Sequence, residues 1–346
     1  MTVKSELAII GSVGVPACYG GFETLVEYML PMPMPTTVYC SSKHYSTRLK
    51  EYKGATLVYL PLDANGPMSI FYDILSLLHA GFKGHKTALV LGVSGTIILP
   101  LIRFFFPGMK IIVNTDGLEW KRDKWNRWAK AFLKYSVKIA VKWAHEVVTD
   151  NQGLADYVAK DFRRSSTVIA YGGDHAFNHS IPLKSGGYAF ALCRIEPENN
   201  VHVILKAFSE LDRPLIFVGN WNNSDYGRTL KELYKNFENI TLLDPIYELD
   251  KLAVLRGGCD IYLHGHSAGG TNPSLVEMMH FGKPIVAFDC IFNRYTLDNL
   301  GCYFFDVESL KSVFNDLSLK ELPEVKALAE QRYTWDVVRE SYLKLV

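Results

Sequence analysis

The sequence predicts an α/β fold with two parallel sheets, each covered by helices. Apolar segments of strand length alternate with segments of helical periodicity along most of the chain, which is the pattern of strand–helix–strand units. A polar stretch from residue 171 to 187 interrupts this pattern, which then restarts. The length of 346 residues exceeds what one small hydrophobic core needs. We therefore predict domains at residues 1–173 and 174–330, and a helix at 331–346 that returns to the first domain.

Composition indicates a globular protein and gives little support to nucleic-acid binding. Hydrophobic residues make up 48% of the chain, and the formal net charge is only +1. The six cysteines never form a CxxC pair, which favours free thiols in a reducing compartment. The longest uncharged run, residues 87–102, contains glycine and proline and is too short to span a bilayer.

The first predicted sheet begins with a strand at residues 7–10, followed by the glycine-rich loop GSVGVPACYGG and a helical pattern. Its glycines allow backbone to approach a ligand closely. Their spacing is not GxGxxG, so the loop does not predict a dinucleotide site. Glycine and proline also simply make turns. Further strands are predicted at residues 37–40, 57–60, 88–91, 110–113, 147–149 and 167–170.

A polar loop, NTDGLEW, follows the strand at residues 110–113. Ligands of open α/β sheets bind at the carboxyl ends of the strands. Asp116 and Glu119 are therefore candidates for chemistry. The alternative is that either carboxylate only caps a helix or stabilises a turn.

Residues 121–143 predict an unusual helix with a basic stripe beside an aromatic one. This pattern is typical of a helix that lies on an anionic membrane surface. Arg103 and the phenylalanines at 104–106 are candidates for the same patch. The alternative is a long surface helix whose aromatic side chains pack into the core. The predicted membrane residues are Trp125, Arg127, Trp128, Lys130, Lys134 and Lys138.

The second predicted sheet has strands at residues 188–193, 215–218, 240–243, 261–263 and 285–288. Arg194 follows the first of these strands, close to a helix start. A guanidinium in that place suits a diphosphate. The alternative is a surface ion pair with Glu196 or Glu198.

Residues 260–289 predict a strand, a loop rich in Gly, Ser and Thr, a helix that begins near Pro273, and another strand. The N-terminus of such a helix suits an anion such as a pyrophosphate. Glu277 lies about one turn inside it, and a ribose diol would supply hydroxyl donors to its carboxylate. The alternative is a solvent-facing glutamate on an ordinary crossover helix.

Four motifs, GSVGVPACYGGFET, NTDGLEWKRDKW, CRIEPENN and HGHSAGGTNPSLVEMMHFGKPIVA, occur in this order along most of the chain. With them the sequence resembles retaining glycosyltransferases of family 4, and more narrowly the bacterial rhamnosyltransferase-like subfamily of capsule and O-antigen clusters. The resemblance implies a GT-B fold: two facing Rossmann-like parallel-sheet domains with a cleft between them. It implies an acceptor-binding first domain and a nucleotide-sugar-binding second domain.

The resemblance also implies roles for individual residues. Glu277 would hold the donor ribose and Arg194 its diphosphate, with Thr271 and Asn272 presenting a helix N-terminus to the phosphates. Gly20 and Gly21 would close on the sugar, and Asp116 stands where many relatives carry a histidine. The implied donor site also includes Ile246, His266, Gly269 and Gly270. The sequence departs from the family at Gly269, where a glutamate is usual, at Asn199, where a lysine is usual, and at Asp116.

The resemblance therefore implies transfer of a hexose, with L-rhamnose from dTDP-L-rhamnose as the best candidate, with retention of configuration. The acceptor would be a polyprenyl-diphosphate-linked glycan on the cytoplasmic face of the inner membrane, where the enzyme binds peripherally. The donor would be a dTDP- or UDP-linked sugar, without a cofactor or required metal, and no nucleic acid would bind. Two alternatives remain: a sugar-nucleotide epimerase of the same shape, and a non-catalytic membrane-bound scaffold.

Overall fold

A computed structural model describes residues 6–18, 20–117, 120, 126–181, 185–316 and 322–346. The chain forms two compact units. One comprises the described residues up to Ala170 together with Val338–Val346, and the other is Tyr171–Val337. The last helix crosses the boundary, because its first three residues belong to the second unit and the rest to the first.

The first unit is built on an eight-stranded sheet with the order β3-β4-β2-β1-β5-β6-β7-β8. All neighbouring strands are parallel except β3 and β4, which form an antiparallel pair at one edge. The central strands are apolar and buried on both faces, as expected for a parallel sheet covered by helices. The strands are β1 Leu7–Ile10, β2 Thr36–Ser41, β3 Glu51–Tyr52, β4 Ala55–Leu60, β5 Thr87–Leu91, β6 Lys110–Asn114, β7 Glu146–Thr149 and β8 Thr167–Val168.

Among the described residues of the first unit, five α-helices connect these strands. Most show an apolar stripe toward the sheet, for example Leu25, Val26 and Met29 of the first helix, which are buried. The helices are α1 Gly21–Met29, α2 Ser69–Lys83, α3 Leu99–Phe105, α4 Arg127–Trp143 and α5 Gln152–Phe162.

The second unit is built on a six-stranded parallel sheet with the order β11-β10-β9-β12-β13-β14. Its core includes Phe208, Phe217 and Trp221, which are fully buried. The strands are β9 Ala189–Leu192, β10 Leu215–Val218, β11 Ile240–Leu243, β12 Ile261–His264, β13 Ile285–Phe288 and β14 Cys302–Phe304. The helices are α6 Val201–Phe208, α7 Asp225–Tyr234, α8 Leu249–Gly258, α9 Pro273–Met279, α10 Ile291–Leu297, α11 Val307–Asp316, α12 Pro323–Arg332 and α13 Trp335–Leu343.

The structure changes two details of the sequence prediction. The strands β3 and β14 were not expected, because two or three residues carry too little periodicity to stand out. Helix α4 begins at Arg127 rather than at residue 121. Its N-cap is Asn126, whose side chain accepts hydrogen bonds from the N–H groups of Trp128 and Ala129. Trp125 and Glu119 lie outside the described residues.

Candidate functional site

The second sheet has the strand order of a Rossmann fold, and this order reverses between the neighbouring strands β9 and β12. Ligands of open α/β sheets bind beside the carboxyl ends of the strands at such a reversal. The loops that leave these two strands are tied together. The N–H and Oγ of Ser267 both donate to the carbonyl oxygen of Glu198, at 3.0 and 2.8 Å. Asn200 Nδ2 donates to the carbonyl oxygen of Gly265 at 2.8 Å. These hydrogen bonds fix the two loops to each other, and we call the hydrogen-bonded loops the floor of the candidate site.

Asn199, which stands where the resemblance leads one to expect a lysine, belongs to this floor. It is buried, and its Nδ2 donates to the carbonyl oxygen of Arg194 at 2.6 Å. Its Oδ1 lies 2.7 Å from Nδ1 of His266. Asn199 therefore fixes the two loops to each other, a role that a lysine ammonium, which only donates, could not take over.

Arg194 lies just beyond β9 with an exposed side chain. Its Nη2 lies 3.9 Å from a carboxylate oxygen of Glu196. This is the surface ion pair that the sequence analysis gave as the alternative reading. Such a pair contributes little to stability, so the guanidinium can exchange Glu196 for another anion at small cost.

Helix α9 begins at Pro273 and is capped by the side chain of Asn272. The Oδ1 of Asn272 accepts from the N–H of Ser274 at 3.0 Å and from its Oγ at 2.8 Å. The hydroxyl of Tyr262, on β12, also donates to Ser274 Oγ at 3.2 Å. Thr271 is buried beside this cap. The helix start is thus anchored to the strand next to β9.

Glu277, the predicted ribose ligand, has protein partners that the sequence did not reveal. Its Oε2 forms an ion pair with Nη2 of Arg256, on α8. Its Oε1 lies 3.5 Å from Nε2 of His175. Arg256 is only 2% exposed, so its charge is buried and depends on this carboxylate. Glu277 is therefore held in one orientation, and a carboxylate with two protein partners still has acceptor sites left for hydroxyl groups.

The proton positions of His175 follow from its neighbours. Trp335 donates its indole N–H to Nδ1 of His175 at 2.9 Å, so Nδ1 is the acceptor and the proton of the neutral ring lies on Nε2, facing Glu277. Burial lowers the pKa of His175, against the opposing charge of Glu277 and with reinforcement from Arg256. The ring is therefore neutral at pH 7, with its Nε2 proton on the side of the carboxylate.

Sequence reasoning missed Arg256 and His175 as parts of the site. Arg256 stands in the helical segment LDKLAVLRGG, where nothing distinguishes a buried arginine from an ordinary surface one. His175 lies in the polar stretch, residues 171–187, that interrupts the strand–helix pattern and was not considered for the site. The local hint in the sequence is Gly173, two residues before His175, because a Cβ there would lie 2.6 Å from the backbone N of Glu277. This segment therefore packs directly on α9, and only glycine permits the approach.

Of the remaining predicted donor residues, Gly269 and Gly270 lie in the loop that leaves β12, whereas Ile246 lies in another loop. Gly269 has φ +103°, a conformation that glycine adopts without strain, and a Cβ there would lie 3.7 Å from Nε2 of His266. Gly270 lies next to it before Thr271. Ile246 is half-buried in the loop that follows β11. No measured contact brings Ile246 to Glu277 or Arg194.

In the first unit, the glycine-rich loop is closed by two carboxylates of α1. Glu23 accepts from the N–H of Val13 at 2.5 Å and from the N–H of Gly20 at 2.9 Å. Glu27, one turn later, accepts from the N–H of Ala17 at 3.0 Å. Gly20 is the N-cap of α1 and Gly21 its first residue. The glycine pair predicted to close on the sugar therefore stands at a helix start whose position depends on Glu23.

Asp116 follows β6 and adopts a left-handed backbone conformation with φ 59°. Its N–H donates to Oδ1 of Asn114 at 3.0 Å. The Nδ2 of Asn114 donates to the hydroxyl oxygen of Tyr342 at 2.8 Å. Tyr342 belongs to the C-terminal segment that clusters with the first unit. A non-glycine residue in this conformation is uncommon and is often held at functional sites.

Helix α4 exposes part of both predicted stripes. Trp128 is 73% exposed and Tyr135 is also exposed, whereas Phe132 is half-buried. Arg127, Lys134, Lys138 and Lys142 are exposed, and Lys130 is half-buried. The aromatic side chains are therefore not packed fully into the core. Within the part of the chain that the structure describes, no helix is long and apolar enough to cross a membrane.

Among the described residues, no group of three or more His, Cys, Asp or Glu side chains is arranged to hold a metal ion.

Two known protein families match this chain, one in each half. Residues 177–330 match the family Glycosyl transferases group 1. The chain carries a glycosyltransferase group 1 domain. Residues 4–174 match a second family, Domain of unknown function (DUF1972). No curated protein matches the sequence.

Solved structures confirm the GT-B fold around this glycosyltransferase domain. Sucrose-phosphate synthase from Thermosynechococcus elongatus has a TM-score of 0.80 at 13% identity, over 99% of this chain and 98% of that chain. HepE from Anabaena, in complex with UDP and glucose, has a TM-score of 0.74 at 14% identity, over 98% of both chains. The catalytic domain of starch synthase IV from Arabidopsis thaliana, bound to ADP and acarbose, has a TM-score of 0.69 at 12% identity, over 99% of this chain and 98% of that chain.

Proposed function

We propose that this protein is a retaining glycosyltransferase that moves a hexose from a nucleoside diphosphate sugar to a lipid-linked glycan. The proposal is supported by the topology: Arg194 follows β9, and Glu277 lies on the helix that follows β12, where the strand order reverses, within residues that match the family Glycosyl transferases group 1. HepE, a structural neighbour, is known with UDP-glucose, which supports the same class of donor here.

In this proposal each residue has a defined task. Glu277, oriented by Arg256 and His175, accepts hydrogen bonds from the ribose hydroxyls. Arg194 leaves Glu196 and neutralises the diphosphate as negative charge develops on the leaving group. Thr271 and Asn272 hold the start of α9 toward the same phosphates. Leaving-group stabilisation then carries much of the barrier.

The donor sugar is proposed to be L-rhamnose from dTDP-L-rhamnose. Gly269 supports this choice, because a glycine leaves no carboxylate to bind a hydroxyl, and a 6-deoxy sugar lacks the 6-hydroxyl. The acceptor is proposed to be a polyprenyl-diphosphate-linked glycan of a bacterial surface polysaccharide, capsule or O-antigen. The exposed cations and Trp128 of α4 support peripheral binding to the cytoplasmic face of the inner membrane.

The experiment is turnover of radiolabelled nucleoside diphosphate sugars, chosen by a thermal-shift screen, with and without lipid-linked acceptor. Transfer that requires the acceptor supports the proposal. Conversion of the donor to another sugar nucleotide without acceptor indicates an epimerase, and no turnover with any donor indicates a non-catalytic scaffold.

Arg194→Ala provides the test of the site. It should lower turnover more than donor affinity, because the diphosphate charge grows as the glycosidic bond breaks. Arg228→Ala is the matched control, since Arg228 is also an exposed arginine of the second domain and pairs with Asp225 on its own helix. Equal turnover of the two folded variants would remove Arg194 from the site.

A further inference from the structure

Helices α2 and α3 of the first unit expose large apolar side chains that the proposed function has not used. On α2 these are Phe71, Leu75 and Phe82, at positions i, i+4 and i+11, so they share one face of the helix. Phe82 is 80% exposed. On α3 they are Leu101, Phe104 and Phe105, and Phe104 is 76% exposed. We call these six residues the apolar face.

The two parts of the apolar face lie side by side. The rings of Phe82 and Phe106 are in edge-to-face contact, with centroids 5.1 Å apart, and Phe104 and Phe105 make a similar contact at 5.1 Å. Gly81 permits the close approach of α2 to Phe106, since a Cβ there would lie 2.5 Å from the ring. Arg103 Nη1 donates to the carbonyl oxygen of Trp143 at 3.3 Å. This bond joins α3 to the end of α4.

The exposed charges on helices α2, α3 and α4 have one sign. These helices contain a single carboxylate, Asp73, which is buried. They contain seven cationic side chains: Lys83, Arg103, Arg127, Lys130, Lys134, Lys138 and Lys142. The three helices that carry or flank the exposed phenylalanines are therefore positively charged.

The positive charge and the exposed apolar area together indicate which partner covers the apolar face. A symmetric dimer would bury the same patch from two copies and bring like charges together, which is unfavourable. An anionic lipid surface satisfies both features: phosphates pair with the cations, and the phenylalanines enter the boundary between headgroups and acyl chains.

We propose that the apolar face of α2 and α3 inserts into an anionic phospholipid membrane, with α4 as its cationic flank. This deepens the proposed function and rests on it for one consequence, that insertion brings the first unit to a lipid-linked acceptor. The interfacial contact then belongs to three helices rather than to α4 alone. Binding should accordingly have a component that depends on apolar burial and survives high salt, beside one that salt screens.

The test measures sedimentation with vesicles of phosphatidylglycerol and phosphatidylcholine, and with phosphatidylcholine alone. The variant Phe82→Ser with Phe104→Ser should weaken binding to the anionic vesicles by at least about tenfold at both low and high salt. The matched control is Leu233→Ser with Phe305→Ser, two exposed apolar residues of the second domain, which should bind like wild type. Lys134→Glu with Lys138→Glu should lose mainly the component seen at low salt.

Two outcomes would overturn the inference. One is unchanged vesicle binding of the Phe82/Phe104 variant. The other is a dimer of the wild type in sedimentation equilibrium that this variant converts to monomer, without vesicle binding by either protein. Transfer to a water-soluble acceptor, measured in parallel, separates the two hypotheses. Transfer without vesicle binding rejects only the membrane face, and vesicle binding without transfer rejects only the glycosyltransferase proposal.

Discussion

At the scale of residues, the candidate site depends on a buried ion pair. Arg256 is almost completely buried, and one of its terminal nitrogens, Nη1, has no hydrogen-bond partner in the described structure. Burying a guanidinium is costly unless a carboxylate compensates it. Glu277 provides that compensation, and in return its carboxylate is oriented. The residue proposed to touch the substrate and the residue that positions it therefore form one unit.

Arg256→Met should weaken binding of the donor nucleotide by about 1–3 kcal/mol, because Glu277 loses its charged hydrogen-bond donor. Calorimetric titration with the donor nucleotide measures the loss. Arg256→Lys keeps the positive charge and should restore much of the affinity. Equal affinities of the folded Arg256→Lys and Arg256→Met variants would show that the charge of Arg256 does not act through Glu277.

Direct involvement of Glu277 has its own test. Glu277→Gln should weaken binding of the donor nucleotide by about 1–3 kcal/mol, because a charged hydrogen-bond acceptor becomes neutral. Glu232→Gln is the control, because it changes an exposed carboxylate of the same domain that pairs with Lys235, away from the site. Unchanged donor affinity of the Glu277 variant would exclude this carboxylate from the site.

At the scale of elements, the glycine-rich loop of the first unit is shaped by the helix that follows it. Glu23 is buried and accepts from backbone groups at both ends of the loop, Val13 and Gly20. The N–H of Gly20 is one of the free N–H groups at the start of α1. The shape of the loop therefore depends on this carboxylate as well as on Gly11 and Gly14, which have positive φ and no room for a Cβ.

Glu23→Gln should destabilise the protein by about 1–3 kcal/mol, because a glutamine keeps one acceptor oxygen and leaves one of the two buried N–H groups without a partner. Denaturant unfolding measures the loss. Glu51→Gln, a change of an exposed glutamate on the edge strand β3, should be close to neutral. A stability of Glu23→Gln within error of that control would show that the loop closes without the carboxylate.

At the scale of the whole molecule, the two units carry buried titratable groups with opposite effects on stability. In the second unit, burial lowers the pKa of His264 well below its usual value, and His266 reinforces the shift. In the first unit, burial raises the pKa of Asp73 to about 8, against a hydrogen bond from the N–H of Gly95. The neutral form is favoured in both places.

The signs of the two pH effects follow from linkage. His264 has a lower pKa in the folded state than in the unfolded state. Its contribution to folding stability is therefore present above the unfolded pKa and is lost as pH falls below about 6.5. Asp73 has a higher pKa in the folded state, so its contribution to folding stability is present below about pH 4 and is lost as pH rises toward 8.

Thermal unfolding at several pH values measures both effects. The unfolding temperature of Asp73→Asn should increase relative to wild type as pH rises from 5 to about 8. That of His264→Gln should increase relative to wild type as pH falls from 7 to about 5. Parallel pH curves for wild type and variants would contradict this assignment.

Much of the architecture could be predicted from the sequence, because parallel strands and their covering helices leave local periodic signals. The strands β1, β5, β6, β9 and β12 lie within one or two residues of the predicted segments. Arg194, Asn272 and Glu277 could be placed near one sheet edge, because the order of strand, loop and helix determines which loops meet there.

The tertiary structure alone decided which groups contact Glu277. Arg256 is 21 residues and His175 is 102 residues away in the chain, so neither is part of a local motif. The tertiary structure also decided the exposure of Phe82, because an apolar side chain has the same sequence signal whether it faces the core or the solvent. For Phe104, the sequence predicted only a candidate for the basic and aromatic patch. Periodicity places residues on a common face of a helix, and only the packing of other elements determines whether that face is covered.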